Sequence, residues 1–78
     1  MTDARRNRIR WRCRRGMLEL DLILAKILEP KLDRFSEAEL VLTERLLELE
    51  DTTLFDCLHD SQDLPEAELQ RFVEKLRQ

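Results

Sequence analysis

The stretch LELDLILAKILEPKLDRF, residues 18–35, decides the fold. Its apolar residues recur at Leu20, Ile23, Leu24, Ile27, Leu28, Leu32 and Phe35, with the aliphatic stem of Lys31 covering the turn between. That is the i, i+3, i+4, i+7 series of a helix with one face on a core, not the alternation of a strand. The spacing predicts a helix over 17–33. Pro30 removes one backbone hydrogen bond, so a kink or a second segment is expected there.

Working outward towards the C-terminus, Ser36 and Glu39 form a capping-box pattern that opens a helix over 36–49. Asp51 or Thr52 can cap a short helix over 52–60 carrying Leu54, Phe55 and Leu58. Pro65 suits the first turn of a last helix over 65–77, with Leu69, Phe72, Val73 and Leu76 as its stripe. Towards the N-terminus, an arginine-rich helix is expected over about 4–15. It ends at Gly16, the single glycine of the chain, placed to take a left-handed conformation. Arginines near that end also suit the helix dipole. No strand pattern, repeat or low-complexity segment is visible. The expectation is an all-α protein, a compact five-helix bundle forming one small domain across residues 1–78. With 78 residues and 42% hydrophobic content, its core must be thin.

Charge is divided sharply along the chain. Residues 1–16 hold seven arginines against Asp3, a net of +6, while residues 17–78 carry a net of −9. A bipolar molecule is expected, which the overall charge of −3 conceals. No apolar run is long enough to span a membrane, and no signal-peptide core is present. The arginine-rich start superficially suggests a mitochondrial transit peptide. It lacks the serines of such peptides and runs straight into Gly16, so a cytoplasmic protein of bacterial type is expected.

Enzyme chemistry finds no foothold. Cys13 and Cys57 lie far apart, and with His59 they make a poor zinc set. Both cysteines read as small buried or semi-buried hydrophobes and His59 as a surface residue. No second histidine, serine or cysteine sits where His59 could activate it. No G-x-G-x-x-G and no strand to present one offers a flavin or dinucleotide site.

The first helix breaks the simple pattern. On a helical wheel Ile9 and Cys13 lie within about 40° of each other and can face the core, while Trp11 lies roughly 200° from Ile9, on the side of Arg8 and Arg15. A large aromatic flanked by arginines on an outward face is a signature of a binding hot spot. The alternative is that Trp11 folds over a neighbouring helix while the arginines are simply solvated.

Residues 8–21, RIRWRCRRGMLELD, closely resemble the start of the small FAD assembly factors of succinate dehydrogenase, the SdhE family. The R-G-x-x-E hallmark of that family stands here as Arg15, Gly16, Met17, Leu18 and Glu19, inside a longer R-x-x-W-x-x-R-R-G pattern followed by L-D. The stretch LLELEDTTLFDCL also matches the family's middle region, so the resemblance covers nearly the whole chain. It implies a five-helix, non-enzymatic factor. Such a factor binds the flavoprotein subunit of succinate dehydrogenase or fumarate reductase and promotes covalent attachment of FAD to a histidine of that subunit. The reactive histidine then belongs to the partner, not to His59, and FAD is carried by the partner. By the same resemblance the partner-contacting residues are Arg15, Gly16 and Glu19, with Arg8, Trp11, Arg14 and Asp21 around them. The free chain is expected to be a monomer.

Two other readings use the same residues. An antitoxin-like or general adaptor role needs only an exposed interaction face. The arginine helix could instead hold nucleic acid through phosphates, although the acidic remainder of the chain would repel a polyanion.

Overall fold

The computed structural model describes residues 2–60 and 62–77. The protein is all-α, as the apolar spacing predicts, with five α-helices: α1 (Thr2–Arg12), α2 (Leu18–Ile27), α3 (Glu37–Leu46), α4 (Asp51–His59) and α5 (Ala67–Arg77). A 3₁₀ segment, Glu29–Arg34, continues from α2. Pro30 stands in its first turn, so proline opens a second segment here rather than kinking one long helix. This divides the span expected for helix two, but the apolar stripe runs on through the division. Leu20, Leu24, Leu28 and Leu32 are fully buried, Phe35 nearly so, and Ile23 and Ile27 pack at the margin.

Around that stripe the other helices close a single apolar cluster. α1 contributes Ile9, with Cys13 just beyond it. α3 contributes Leu40 and Leu46, α4 Leu54, Cys57 and Leu58, and α5 Leu69, Phe72, Val73 and Leu76. Phe35 and Phe72 meet edge to face, 5.5 Å between centroids, a favoured geometry for aromatic pairs. Thr43, the only fully buried polar residue among those described, has its hydroxyl donating to the Glu39 carbonyl one turn back at 2.8 Å. It is therefore buried without an orphaned group.

The helix termini follow the sequence unevenly. Ser36 caps α3 as expected: its hydroxyl accepts from Glu39 N, and the Glu39 carboxylate accepts from Ser36 N. The cap of α4 does not follow. Glu50 occupies that position without a side-chain bond, and Asp51 is already helical, its carboxylate taken by Arg15. α5 begins at Ala67, two residues after Pro65, and α3 ends at Leu46 rather than Leu49.

The departure that matters for the junction is at the first helix, which stops at Arg12 instead of Arg15. Cys13 N donates to both Ile9 and Arg10 carbonyls, and Arg14 N to the Trp11 carbonyl at 3.1 Å, so the last turn tightens and releases the chain early. Arg14 and Arg15 leave the helix in an irregular segment, and only then does Gly16 take its positive φ of 85°.

Candidate functional site: the Gly16 junction

The junction between α1 and α2 is built from its backbone outward. Asp21, in the first turn of α2, reaches back so that its Oδ1 accepts from Arg15 N at 2.8 Å and its Oδ2 from Gly16 N at 3.4 Å. One carboxylate thus gathers two amide donors at the positive end of a helix, where a negative charge is favoured. Gly16 turns the chain between them. A Cβ built on it would meet nothing within 4 Å, so what this position requires is the left-handed backbone, not room for a neighbour.

Arg15 is turned inward. Its Nε donates to Asp51 Oδ1 at 2.8 Å, and its Nη1 and Nη2 donate to the carbonyls of Leu47 and Leu49 at 2.6 Å each. The guanidinium clasps the α3–α4 turn, with 14% of the side chain exposed. A helical wheel running to residue 15 puts Arg15 beside Trp11 on the outward face. The early end of α1 takes it off that wheel and rotates it to the opposite task. No hydrogen bond or ion pair joins it to Glu19. Glu19 is exposed in the first turn of α2 and makes no hydrogen bond or ion pair among the described residues.

The remaining expected residues do lie outward. Trp11 is 76% exposed, so it does not fold over a neighbouring helix, and Arg8 and Arg14 are exposed as well. Ile9 and Cys13 are buried, as the wheel predicts. Four of the seven N-terminal arginines are spent on the protein itself. Arg5 pairs with Glu44 and Glu37, and Arg6 donates to the carbonyls of Leu32 and Phe35. Arg10 pairs with Asp33, and Arg15 makes the clasp above. The basic stripe that the sequence offers to a polyanion is therefore largely consumed in holding α1 to the bundle.

Two exposed leucines complete the picture, and sequence reasoning missed them as site residues. Leu18 and Leu22 are 73% and 60% exposed. With Ala25 they line a groove of about 330 Å³ that has Cys13 at its side and Arg14, Asp21 and Glu29 at its margins. Their signal was present in the sequence as leucines out of phase with the buried stripe of α2.

Nothing at the junction is equipped for covalent chemistry. Burial pushes the Cys13 thiol up to about 12, far from a nucleophilic thiolate at neutral pH, and raises Cys57 in the same direction. Among the described residues no three His, Cys, Asp or Glu side chains gather as metal ligands. No described helix is long and apolar enough to cross a membrane. The arrangement can present a surface: a fixed turn, an exposed carboxylate, an exposed tryptophan and an apolar strip.

Residues 7–78 match the family model described as the flavinator of succinate dehydrogenase. The chain belongs to that family. It is similar to the FAD assembly factor SdhE of Legionella pneumophila (strain Lens), with 39% identity over 77 residues, covering 99% of this chain and 96% of the relative. The FAD assembly factor SdhE of Shewanella oneidensis is 41% identical over 70 residues, 90% of this chain and 85% of the relative. That of Coxiella burnetii is 35% identical over 71 residues, 91% and 87%. These family members are named for assembly, not for catalysis, in keeping with a junction that offers a surface and no reactive centre. No solved structure matches the chain at a significant level.

Proposed function

We propose that this protein binds the flavoprotein subunit of succinate dehydrogenase or fumarate reductase and promotes covalent attachment of FAD to a histidine of that subunit. The family match over residues 7–78 carries this reading, and the geometry of the Gly16 junction supports it. Within the R-G-x-x-E motif the first residue holds the fold and the last is left over for a partner. Arg15 and Asp21 lock the turn from inside, and Glu19 projects from it with no bonded partner among the described residues. FAD stays on the partner throughout, and the setting is the cytoplasm. The contribution of this chain is positional: it holds the partner in the geometry in which the flavin and the histidine meet, which can supply a large part of a barrier without any reacting group. Trp11, Arg8 and Arg14 extend the contact, as aromatic and arginine anchors do in interface centres.

The decisive experiment is Glu19→Ala, expressed with the flavoprotein subunit in cells lacking the native factor. Glu19 has no hydrogen-bond or ion-pair partner among the described residues, so the variant should fold with nearly unchanged stability yet leave the subunit without covalent flavin, seen as lost in-gel flavin fluorescence. Normal flavinylation supported by a folded Glu19→Ala protein would remove Glu19 from the working surface.

A further inference from the structure

Among the described residues four large apolar side chains are exposed, and three of them, Trp11, Leu18 and Leu22, crowd into the twelve residues around Gly16. On α2 the exposed set continues to Ala25, giving an i, i+4, i+7 strip about 10 Å long. It lies beside the face that buries Leu20 and Leu24, so the core leaves it uncovered. The lining of the groove over this strip also carries both signs of charge, Arg14 and Glu29. Neither makes an ion pair among the described residues. Asp21, the third charged margin, is already occupied by the amides of Arg15 and Gly16.

We infer that the Leu18–Leu22–Ala25 groove is a docking seat for an amphipathic segment of the flavoprotein subunit. The segment's apolar ridge lies along α2, with a carboxylate towards Arg14 and a basic group towards Glu29. This inference rests on the flavoprotein reading above. Continuity selects the occupant: Leu18 adjoins Glu19 in sequence, so a partner that reaches Glu19 covers the upper end of the groove. Size argues in the same direction. Two leucines and an alanine fall well short of the ~800 Å² per side that holds a stable complex, so the strip cannot sustain a dimer of this chain alone and must extend a larger contact. Leu22 lies at its centre, where the energy of an interface concentrates.

The test measures affinity of the purified protein for the purified flavoprotein subunit by calorimetry, with Leu22→Asp, Glu19→Ala and, as a control, Val41→Asp. Val41 is also exposed and apolar but lies on α3. Leu22→Asp should keep the wild-type thermal midpoint and lose about tenfold or more in affinity, as expected for a central apolar anchor. Val41→Asp should bind as the wild type does. If Leu22→Asp binds normally while Glu19→Ala does not, the groove inference fails and the proposed function stands. If the wild type does not bind the subunit, the functional reading itself fails. A wild-type dimer that Leu22→Asp dissociates, with flavoprotein affinity unchanged, would assign the groove to a second copy and overturn the inference.

Discussion

Arg15 shows how a residue within a family's hallmark motif can be engaged by the fold itself. Its guanidinium satisfies one carboxylate and two turn carbonyls that would otherwise end α3 and begin α4 unpaired. Arg15→Ala should destabilise the protein by about 3 kcal/mol, because a part-buried acceptor set loses its donors at once. Arg15→Lys should recover little of this, since a single ammonium cannot span three acceptors in the geometry of the planar fork. Urea unfolding of both variants checks the order. If Lys matches Arg, the clasp is a simple ion pair. Gly16→Ala tests the neighbouring residue differently. A methyl group would touch nothing, so the penalty is that of a left-handed alanine alone, about 1 kcal/mol. The variant should therefore remain folded.

At the scale of elements, α2 and its 3₁₀ extension organise the bundle. Leu24→Ala should cost about 2–5 kcal/mol, since Leu24 is fully buried in the middle of the stripe. Ser36→Ala, which removes one half of a reciprocal cap, should cost about 1 kcal/mol. Thermal midpoints that rank these two in the reverse order would contradict the assigned burial. This stripe, the capping box and the turn at Gly16 were legible in the sequence because each is a local pattern, written within eighteen residues or fewer. Arg15's role was not. Its partner Asp51 is 36 positions away, and a helical wheel carries no information about where a helix stops. The same blindness misplaced the cap of α4: Asp51 has the chemistry of a cap but is engaged elsewhere. Of the partner-facing residues expected from the family motif, Trp11, Arg8, Arg14 and Glu19 are exposed, whereas Arg15 and Asp21 build the platform beneath them.

For the whole molecule, ion pairs decide how the basic first helix is held to an acidic body. Hydrogen bonding from Arg5 lowers the Glu44 carboxyl below its ordinary value, and Lys75 does the same for Glu39. Carboxylates with lowered folded values stabilise the protein above their unfolded value, near 4.5, and that contribution is lost as pH falls through and below it. Unfolding midpoints should hold from neutrality to about pH 5 and then decline, with a shallower decline in Glu44→Gln. A second global reading comes from the thiols. With Cys13 buried and its thiol raised to about 12, iodoacetamide should label it only as fast as the protein opens. Rapid labelling of the native state at pH 8 would contradict its burial.

The Arg15 clasp has one more consequence, for motion. The segment that carries Glu19 is fastened to a turn thirty residues downstream, so the junction cannot unfasten alone. In native-state hydrogen exchange the amides of Gly16 and of Leu49 should open together, with one shared free energy, and Asp51→Asn should lower that energy for both. On the proposed function, a flavoprotein bound at the junction would then also slow exchange at Leu49.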